Sequence, residues 1–267
     1  MMARRHLDRL RSNVVAWNEW RATEDVSGLS FAYSQMRGAD LTWSNLDNLD
    51  FSGSDFSNAD LRGADLHHCN LTGANFQNAD LRGANLQGAT IQETNMARAQ
   101  LQGANLTRAD LNQINLRGAN LGQAVLRGTY CYFSDFSEAN LAWADIQFAN
   151  LSNTTFYKSD LTEANLTHSN LSHANLNQTV LNNTNFRDAL VYDTIFAALD
   201  LTGAHNLASV RHQAQSELSI GTDTLISTLR GSGGQLTDEQ EEFFAKAGVS
   251  QAMIATIRSA AIPPPTR

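Results

Sequence analysis

The sequence predicts an all-β solenoid, on the basis of a five-residue apolar period, small residues at a fixed offset from it, and very little proline. All 35 positions numbered 31, 36, 41 and onward to 201 are apolar, and most of them are Leu or Phe. The residue two places earlier is mostly Ala, Ser or Thr, and Asp or Asn often comes directly before the apolar residue. The three prolines are confined to 263–265, so the body of the chain lacks the residue that most readily interrupts regular structure.

A five-residue period fits neither a straight helix nor a flat strand. On an α-helix five residues advance about 500°, so successive leucines would step about 140° around the axis and form no stripe. On a flat strand five is an odd number, so successive leucines would alternate between faces. They share one interior only if the chain bends once per repeat, with the apolar residue and the small residue two places before it pointing inward. Asp and Asn suit such bends because their side chains bond nearby backbone and tolerate unusual φ/ψ.

The phenylalanines indicate how many repeats complete one coil. If residues 20 apart stack, one column holds position 56 and every twentieth residue onward to 196, and five of the eight phenylalanines of the five-residue register fall in it. The column from 41 to 181 is Leu at all eight positions. This clustering favours four repeats per coil and a square cross-section, with Phe56, Phe76, Phe136 and Phe156 lining one wall.

Runs such as NADLRGANLQGA and LTEANLTHSNLSHANLNQ resemble the pentapeptide-repeat family, whose motif is A(D/N)LXX. The resemblance covers residues 31–204 and implies a right-handed quadrilateral β-helix with four repeats per coil. Nearly nine coils at about 4.8 Å per layer would give a rod on the order of 40 Å long. The end coils of a solenoid have no neighbour on one side, so we expect both ends to be covered.

Residues 1–30 precede the repeats and are expected to cap the first coil. Apolar residues in 3–23 are spaced by three and four, which predicts one amphipathic helix whose tryptophans cover the exposed core. A partner-binding helix is the alternative interpretation. The stretch AWNEWR also resembles the entry segment of many family members, notably cyanobacterial ones. The apolar residues concerned are Leu7, Leu10, Val14, Trp17 and Trp20.

Residues 205–267 are expected to form a helical cap or appendage that ends in a Pro-rich tail. Thr237 and Gln240 have the spacing of a capping box, and Gly248 is a stop signal for that helix. Two further helices are predicted, one over roughly 222–230 before the flexible GSGG stretch at 231–234, and one that Ser250 caps and that ends before Pro263.

Parts of this C-terminal segment carry a second resemblance. SELSIGTDTLIS and FFAKAGVSQAMIATIRS are similar to a segment that follows the repeats in proteins whose next domain is a TIR-like or related signalling domain. The resemblance implies a bacterial signalling or defence context, with the rod positioning an effector. Either the chain is a stand-alone relative, or the sequence is part of a longer one.

Charge and composition narrow the class of partner. The net charge of −8 comes from the repeats, because residues 31–205 hold nine basic and 17 acidic side chains. An acidic surface releases few counterions from phosphates, which argues against direct nucleic-acid binding. We see neither a secretory signal nor an apolar window of about 18 residues, so we expect a cytoplasmic protein with no membrane contact.

Candidate catalytic and metal-binding residues are sparse. His68 and His168 take equivalent outward positions five coils apart and cannot share a metal, and His168 and His173 lie on adjacent faces. Cys69 and Cys131 take inward positions three coils apart, which excludes a disulfide and makes each a small core residue. The sequence therefore predicts no enzyme, no catalytic or metal site and no cofactor.

Two functions remain as hypotheses. The first is a non-enzymatic rigid scaffold for protein–protein interaction, since the long polar surface with ladders of Asn, Gln, Thr and Ser has no pocket chemistry. The second is suggested by the family resemblance, because some members resemble duplex DNA, bind DNA gyrase and confer quinolone resistance. Asp40, Asp47, Asp50, Asp55, Asp60 and Asp65 form the one acidic patch suited to that role. In either case a homodimer through the helical ends is compatible with the sequence.

Overall fold

The computed structural model describes residues 2–24, 26, 29–212, 219–220, 222–232 and 235–261. The body of the chain is a stack of coils joined by short parallel bridges. Each of these bridges joins residues 20 apart, from Ser30–Asp50 to Asn185–His205. Four five-residue repeats therefore complete one coil, as the phenylalanine spacing predicts.

The interior of the stack is apolar along its whole length. Leu41 and the equivalent residues of later repeats are buried, as are most of the small residues two places before them. The rings of Phe56 and Phe76 stack with centroids 4.7 Å apart, and those of Phe136 and Phe156 with centroids 5.3 Å apart. The predicted wall of phenylalanines is confirmed. Each buried Leu or Phe contributes roughly 1.5–3 kcal/mol before the entropy of ordering the chain is subtracted.

The corners are β-turns whose positive-φ position is occupied by glycine in some repeats and by larger residues in others. In the first coil the N–H of Ser34 donates to the carbonyl of Phe31 at 3.2 Å, and Tyr33 has φ 58°. A type II turn needs positive φ at its third residue, and that residue comes two places after the inward apolar one. Although Asn is found at some of the corners, as at Asn153, the Asp and Asn directly before the apolar residue therefore do not adopt the unusual φ/ψ. They lie in the bridges, where Asp40 Oδ1 accepts the N–H of Thr42 at 3.1 Å, so the expected bond to nearby backbone is present.

Two helices precede the coils where the sequence predicts one. Helix α1 spans Met2–Ser12 and helix α2 spans Val14–Arg21. Asn13 between them is extended, with φ −161° and ψ 101°, and its side chain accepts the N–H of Ala16 as an N-cap. The expected single helix over 3–23 is wrong because a side chain that caps a new helix breaks the old one.

The chain leaves the strict five-residue register near residue 204, but parallel pairing continues beyond it. Strand β1 (Leu190–Val191) pairs with β3 (Arg211–His212), and β2 (Ile195–Phe196) pairs with β4 (Ser219–Ile220). The remaining elements are a 3₁₀ helix at Leu207–Ser209, α3 at Thr222–Gly231, α4 at Asp238–Lys246 and α5 at Gln251–Ala261.

The predicted start and stop signals of the C-terminal helices are confirmed. Thr237 and Gln240 form the reciprocal capping box of α4, and Gly248 has φ 83° just after that helix. Ser250 Oγ accepts the N–H of Met253 at 3.1 Å at the start of α5. Of the GSGG stretch predicted to be flexible at 231–234, Gly231 is the last residue of α3, and 233–234 lie outside the described residues, as does the Pro-rich tail.

Candidate functional site

The outer walls of the stack carry ladders of polar side chains. On one wall the amide nitrogen of Asn75 donates to Asp55 at 3.1 Å, and that of Asn95 donates to Asn75 at 3.2 Å. Asn115 repeats the bond to Asn95 at 3.2 Å. Because each side chain is held by those of the coils before and after it, the ladders fix the polar surface in place.

Arginines pair with two of the six carboxylates of the acidic patch, and with Asp80 of the next coil. Asp60 pairs with Arg62 at 2.6 Å and Asp80 with Arg82 at 2.5 Å, and these hydrogen bonds hold the pKa values of both carboxyl groups below their usual range. Asp47 pairs with Arg21 of α2. The patch therefore presents alternating charges rather than a continuous anionic strip.

The histidines are dispersed along the chain, and two of them, His168 and His173, pair with carboxylates of the following coil. His168 Nε2 lies 3.9 Å from Asp188, and His173 Nδ1 lies 3.6 Å from Asp193. No group of three or more potential metal ligands occurs among the residues that the structure describes. His68 and His168 are not brought together.

The two cysteines are buried free thiols. Cys69 donates to the carbonyl of Leu46 at 2.9 Å, and Cys131 lies 3.5 Å from Thr129 Oγ1. Burial raises the pKa of each thiol to about 12. A thiol with so high a pKa is not a nucleophile at neutral pH, so both behave as small core residues.

One coil, residues 130–149, carries more exposed aromatic side chains than the other described coils. These residues, called here the aromatic belt, are placed outward by the repeat, and each is more than two-fifths exposed. They belong to three of the four five-residue repeats of the coil, those with inward residues 131, 141 and 146. Sequence reasoning missed them, although an aromatic residue at an outward repeat position was a signal that could have found them. The belt consists of Tyr130, Tyr132, Phe133, Trp143 and Phe148.

Aromatic rings of the belt contact each other and a histidine of the next coil. The rings of Tyr132 and Phe133 meet with centroids 4.2 Å apart, and Phe148 stacks on His168 of the next coil at 5.1 Å. Beside Phe148 lies a groove of about 410 Å³, lined also by Arg108 and Arg127. The surface thus offers flat apolar groups next to cationic ones, a combination common in protein interfaces.

The end of the stack nearest the N-terminus has a site of a different kind. The indole Nε1 of Trp17 donates to the carbonyl of Asn45 at 2.7 Å. The side chain of Asn18 donates to the carbonyl of Trp43 at 2.9 Å and accepts the N–H of Asn45 at 2.8 Å. Side chains of α2 therefore occupy the hydrogen-bonding positions that a preceding coil would fill on this wall.

Stacked parallel coils around an apolar axis, with a polar exterior, define a β-helical solenoid. The family described as "Pentapeptide repeats (8 copies)" matches the chain in six overlapping segments that together span residues 34–205. The chain belongs to the pentapeptide-repeat family. The matched segments are 34–73, 69–108, 104–141, 134–172, 159–196 and 169–205.

Solved structures of the family are similar to this chain over much of its length. HetL, a pentapeptide repeat protein involved in heterocyst differentiation regulation from the cyanobacterium Nostoc sp. strain PCC 7120, is 29% identical, with 72% of this chain and 96% of HetL covered and a TM-score of 0.24. QnrB1, a plasmid-mediated fluoroquinolone resistance protein, is 18% identical, with 69% of this chain and 94% of QnrB1 covered and a TM-score of 0.47.

A pentapeptide repeat protein from the thylakoid lumen of Arabidopsis thaliana is 22% identical, with 39% of this chain and 68% of that chain covered and a TM-score of 0.34. All three TM-scores lie below 0.5, so the assignment to the family depends on the repeat match. No curated protein matches the chain. Within the described part of the chain, no helix combines the length and apolar character needed to cross a membrane.

Proposed function

We propose that the protein is a non-enzymatic rigid scaffold that binds a protein partner through the aromatic belt. The observation that carries this proposal is the exposure of five aromatic side chains in one coil, whereas the first coil exposes two, Tyr33 and Trp43. Aromatic residues bury large areas and dominate the energetics of many interfaces. Because side-chain ladders already order the neighbouring surface, little further ordering opposes binding.

The proposal extends to the setting of the protein. The helices at the two ends would cover the terminal coils, and they are the surfaces through which a homodimer would form. The resemblance of the C-terminal segment supports a role in bacterial signalling or defence, and the cytoplasm is the compartment we expect. Catalysis, cofactors, membrane contact and direct nucleic-acid binding have no part in this proposal.

The test is to find a partner and ask whether it depends on the belt. A photo-crosslinking residue at Gln147, next to Phe148, would capture the partner in cells that express the protein, and the purified pair would then be titrated. We expect the double variant Phe133→Asn and Trp143→Gln to weaken binding by about tenfold or more, the loss of about 1.4 kcal/mol or more. Asn and Gln occupy other corners of this chain with positive φ, at Asn153 and Gln123, so the fold should be kept.

Tyr33→Asn supplies the matched control, because Tyr33 is an exposed corner aromatic in the first coil. This variant should bind the partner as the parent protein does. A partner that binds the belt variant with unchanged affinity would contradict the proposal.

The second candidate is modulation of DNA gyrase by DNA mimicry, and one observation favours it. Asp40, Asp60 and Asp80 repeat at the same position of three successive coils. The pairing of Asp60 and Asp80 with arginines weakens the anionic strip that mimicry would need. The test is a DNA supercoiling assay with gyrase. If micromolar protein leaves the supercoiling activity of gyrase unchanged, this candidate is eliminated.

A further inference from the structure

The first coil exposes parts of its backbone edge, because among the described residues neither the Gln35 wall nor the Asp40 wall has hydrogen-bond partners on the side facing the N-terminus. Within the stack, each wall is bonded to the coils on both sides: the N–H of Asp60 donates to the carbonyl of Ala39 in the coil before it at 2.9 Å, and the N–H of Leu61 donates to the carbonyl of Asp80 in the coil after it at 2.7 Å. The first coil has no preceding coil to do the same. On the wall of Asn45 the side chains of α2 supply the missing partners.

The neighbouring wall of the first coil has no such cover. The N–H and carbonyl of Asp40 and the carbonyl of Thr42 have no hydrogen-bond partner among the described residues. Asp40 is exposed, whereas Asp60 and Asp80, at the same position in the next two coils, are half-buried. Ala39 is also only partly buried, although the small residue at the same position of the next coil is fully buried. The edge of a sheet is therefore open at this wall.

A groove runs along this open edge. It has a volume of about 380 Å³ and lies between the junction of α1 with α2 and the first coil. Val14 and Val15 form its helical side, and Trp43 and Thr42 form its other side. Val15 is 67% exposed and Trp43 is 74% exposed, so two large apolar side chains flank backbone groups that lack partners.

We propose that this groove binds an extended segment of a partner protein as an additional parallel strand. An unpaired strand edge is a template for another strand, and main-chain hydrogen bonds give such complexes their affinity. The spacing of the existing coils fixes the pairing. The segment supplies a carbonyl to the N–H of Asp40 and two N–H groups, from residues two apart, to the carbonyls of Asp40 and Thr42.

The lining also specifies the side chains of the segment. An apolar side chain fits between Val15 and Trp43, and the residue beside the carboxylate of Asp40 is neutral or basic. Proline is excluded at the two donor positions because it lacks an N–H. At the other end of the rod the β1 and β2 edges already pair with β3 and β4, which favours a foreign segment over the end of a second copy. This site is separate from the aromatic belt, and its test needs no natural partner.

A peptide with the chain's own repeat sequence is the probe. Acetyl-ARAQLQGANL-amide, residues 97–106, places Gln100 beside Asp40 and brings the N–H groups of Leu101 and Gly103 to the carbonyls of Asp40 and Thr42. We expect it to bind the full chain in a fluorescence polarisation titration and to shift the amide signal of Asp40 in ¹H–¹⁵N NMR spectra. The same peptide N-methylated at Leu101 keeps its side chains but loses one donor, and we expect its Kd to rise by about tenfold or more.

Variants of the protein provide a second, independent readout. Asp40→Pro removes the unpaired N–H, and Val15→Arg fills the groove from its exposed helical side, so both should weaken the peptide by about tenfold or more. Gln35→Pro is the control for the first and Met253→Arg the control for the second, because both residues are exposed and lie outside the groove. Circular dichroism melting of each variant reports whether the fold is intact.

Three results would overturn the proposal. The first is no binding of the parent peptide up to about 1 mM. The second is equal binding of the N-methylated peptide, which would show that main-chain pairing is not used. The third is a concentration-dependent dimer of the protein that Asp40→Pro abolishes, which would assign the edge to a second copy. Loss of a natural partner in the belt variants would leave the peptide results unchanged, so the two proposals fail separately.

Discussion

The two ends of the rod are closed by different chemistry. At the N-terminal end, side chains of Trp17, Asn18 and Arg21 bond to the backbone of one wall of the first coil. At the C-terminal end, the backbone itself continues, because β3 and β4 pair with the strands of the last coils. Closure by side chains is local and leaves the Asp40 wall open, whereas closure by strands extends the sheet.

The helices after the strands complete the second kind of closure. Thr224 Oγ1 donates to the carbonyl of Phe196 at 2.9 Å, and Gln240 Nε2 donates to the carbonyl of Leu201 at 3.1 Å. The ring of Phe243 packs edge-on against Phe196 at 5.3 Å. The last coil thus gains both polar and apolar partners from elements that have left the five-residue register.

The largest test of the comparison removes one buried aromatic side chain from each end. Trp17→Ala and Phe243→Ala should each lower the free energy of unfolding by about 3–5 kcal/mol, because both side chains are fully buried. Urea denaturation followed by circular dichroism measures the loss. If the ends are closed independently, the double variant should lose the sum of the two values. If the loss in the double variant differs from the sum of the two single losses by more than about 1 kcal/mol, the two ends are energetically coupled through the rod.

The next largest effect addresses the side-chain closure alone. Asn18→Ala should lower the free energy of unfolding by about 1–2 kcal/mol, because it leaves the N–H of Asn45 and the carbonyl of Trp43 without their present partners. Hydrogen exchange at the Asn45 amide should accelerate in the same variant. Glu19→Ala, an exposed neighbour on the same helix, is the control and should change stability by less than about 0.5 kcal/mol. Unchanged exchange at Asn45 would argue against closure by Asn18.

The C-terminal closure has a smaller counterpart in the capping box of α4. Thr237→Ala should cost about 1 kcal/mol, because the N–H of Gln240 loses its acceptor at the start of the helix. Thr237→Ser keeps the hydroxyl and should restore most of the stability. Equal melting temperatures of the Ala and Ser variants would show that the box does not support this end.

The smallest effect is on the pH dependence of the C-terminal end. Burial, and then Lys246, lowers the pKa of His212, and neither ring nitrogen of His212 has a hydrogen-bond partner in the described part of the chain. The unfolded chain therefore binds this proton more readily than the folded one, so stability should fall as the pH drops below about 6.5, the ordinary pKa of histidine. His212→Leu should flatten the decline in urea titrations between about pH 7 and pH 5. His6 at the other end, whose pKa is also lowered by burial, gives the comparison through His6→Leu.

The sequence predicts the interior well because the interior is periodic. An apolar residue at every fifth position can point inward only if the chain turns at each repeat, so the stacking of Phe56 on Phe76 follows from spacing alone. The capping box at Thr237 is equally local and was predicted for the same reason. Features set by a few neighbouring residues are thus recovered without any knowledge of the tertiary structure.

Features that depend on distant residues were predicted poorly. One local feature was also missed: the break at Asn13, where its side chain accepts the N–H of Ala16, lies inside an apolar pattern that continues through it. The closure of the first coil joins Asn18 to Asn45, which are 27 residues apart, so no local pattern reveals it. The aromatic belt was missed because its residues occupy outward positions. The five-residue apolar period concerns only the inward positions.

The positive-φ residue at each corner contributes its side chain to the surface of the rod and not to its core. Tyr33, Gln113 and Lys158 adopt nearly the same φ, 58°, although their side chains have nothing in common. Each of these side chains points away from the axis. Substituting one for another therefore changes the outer surface and leaves the inner leucines unchanged. Each coil has four such corners. A protein with this architecture can therefore change its binding specificity through single corner substitutions while its core and fold stay the same.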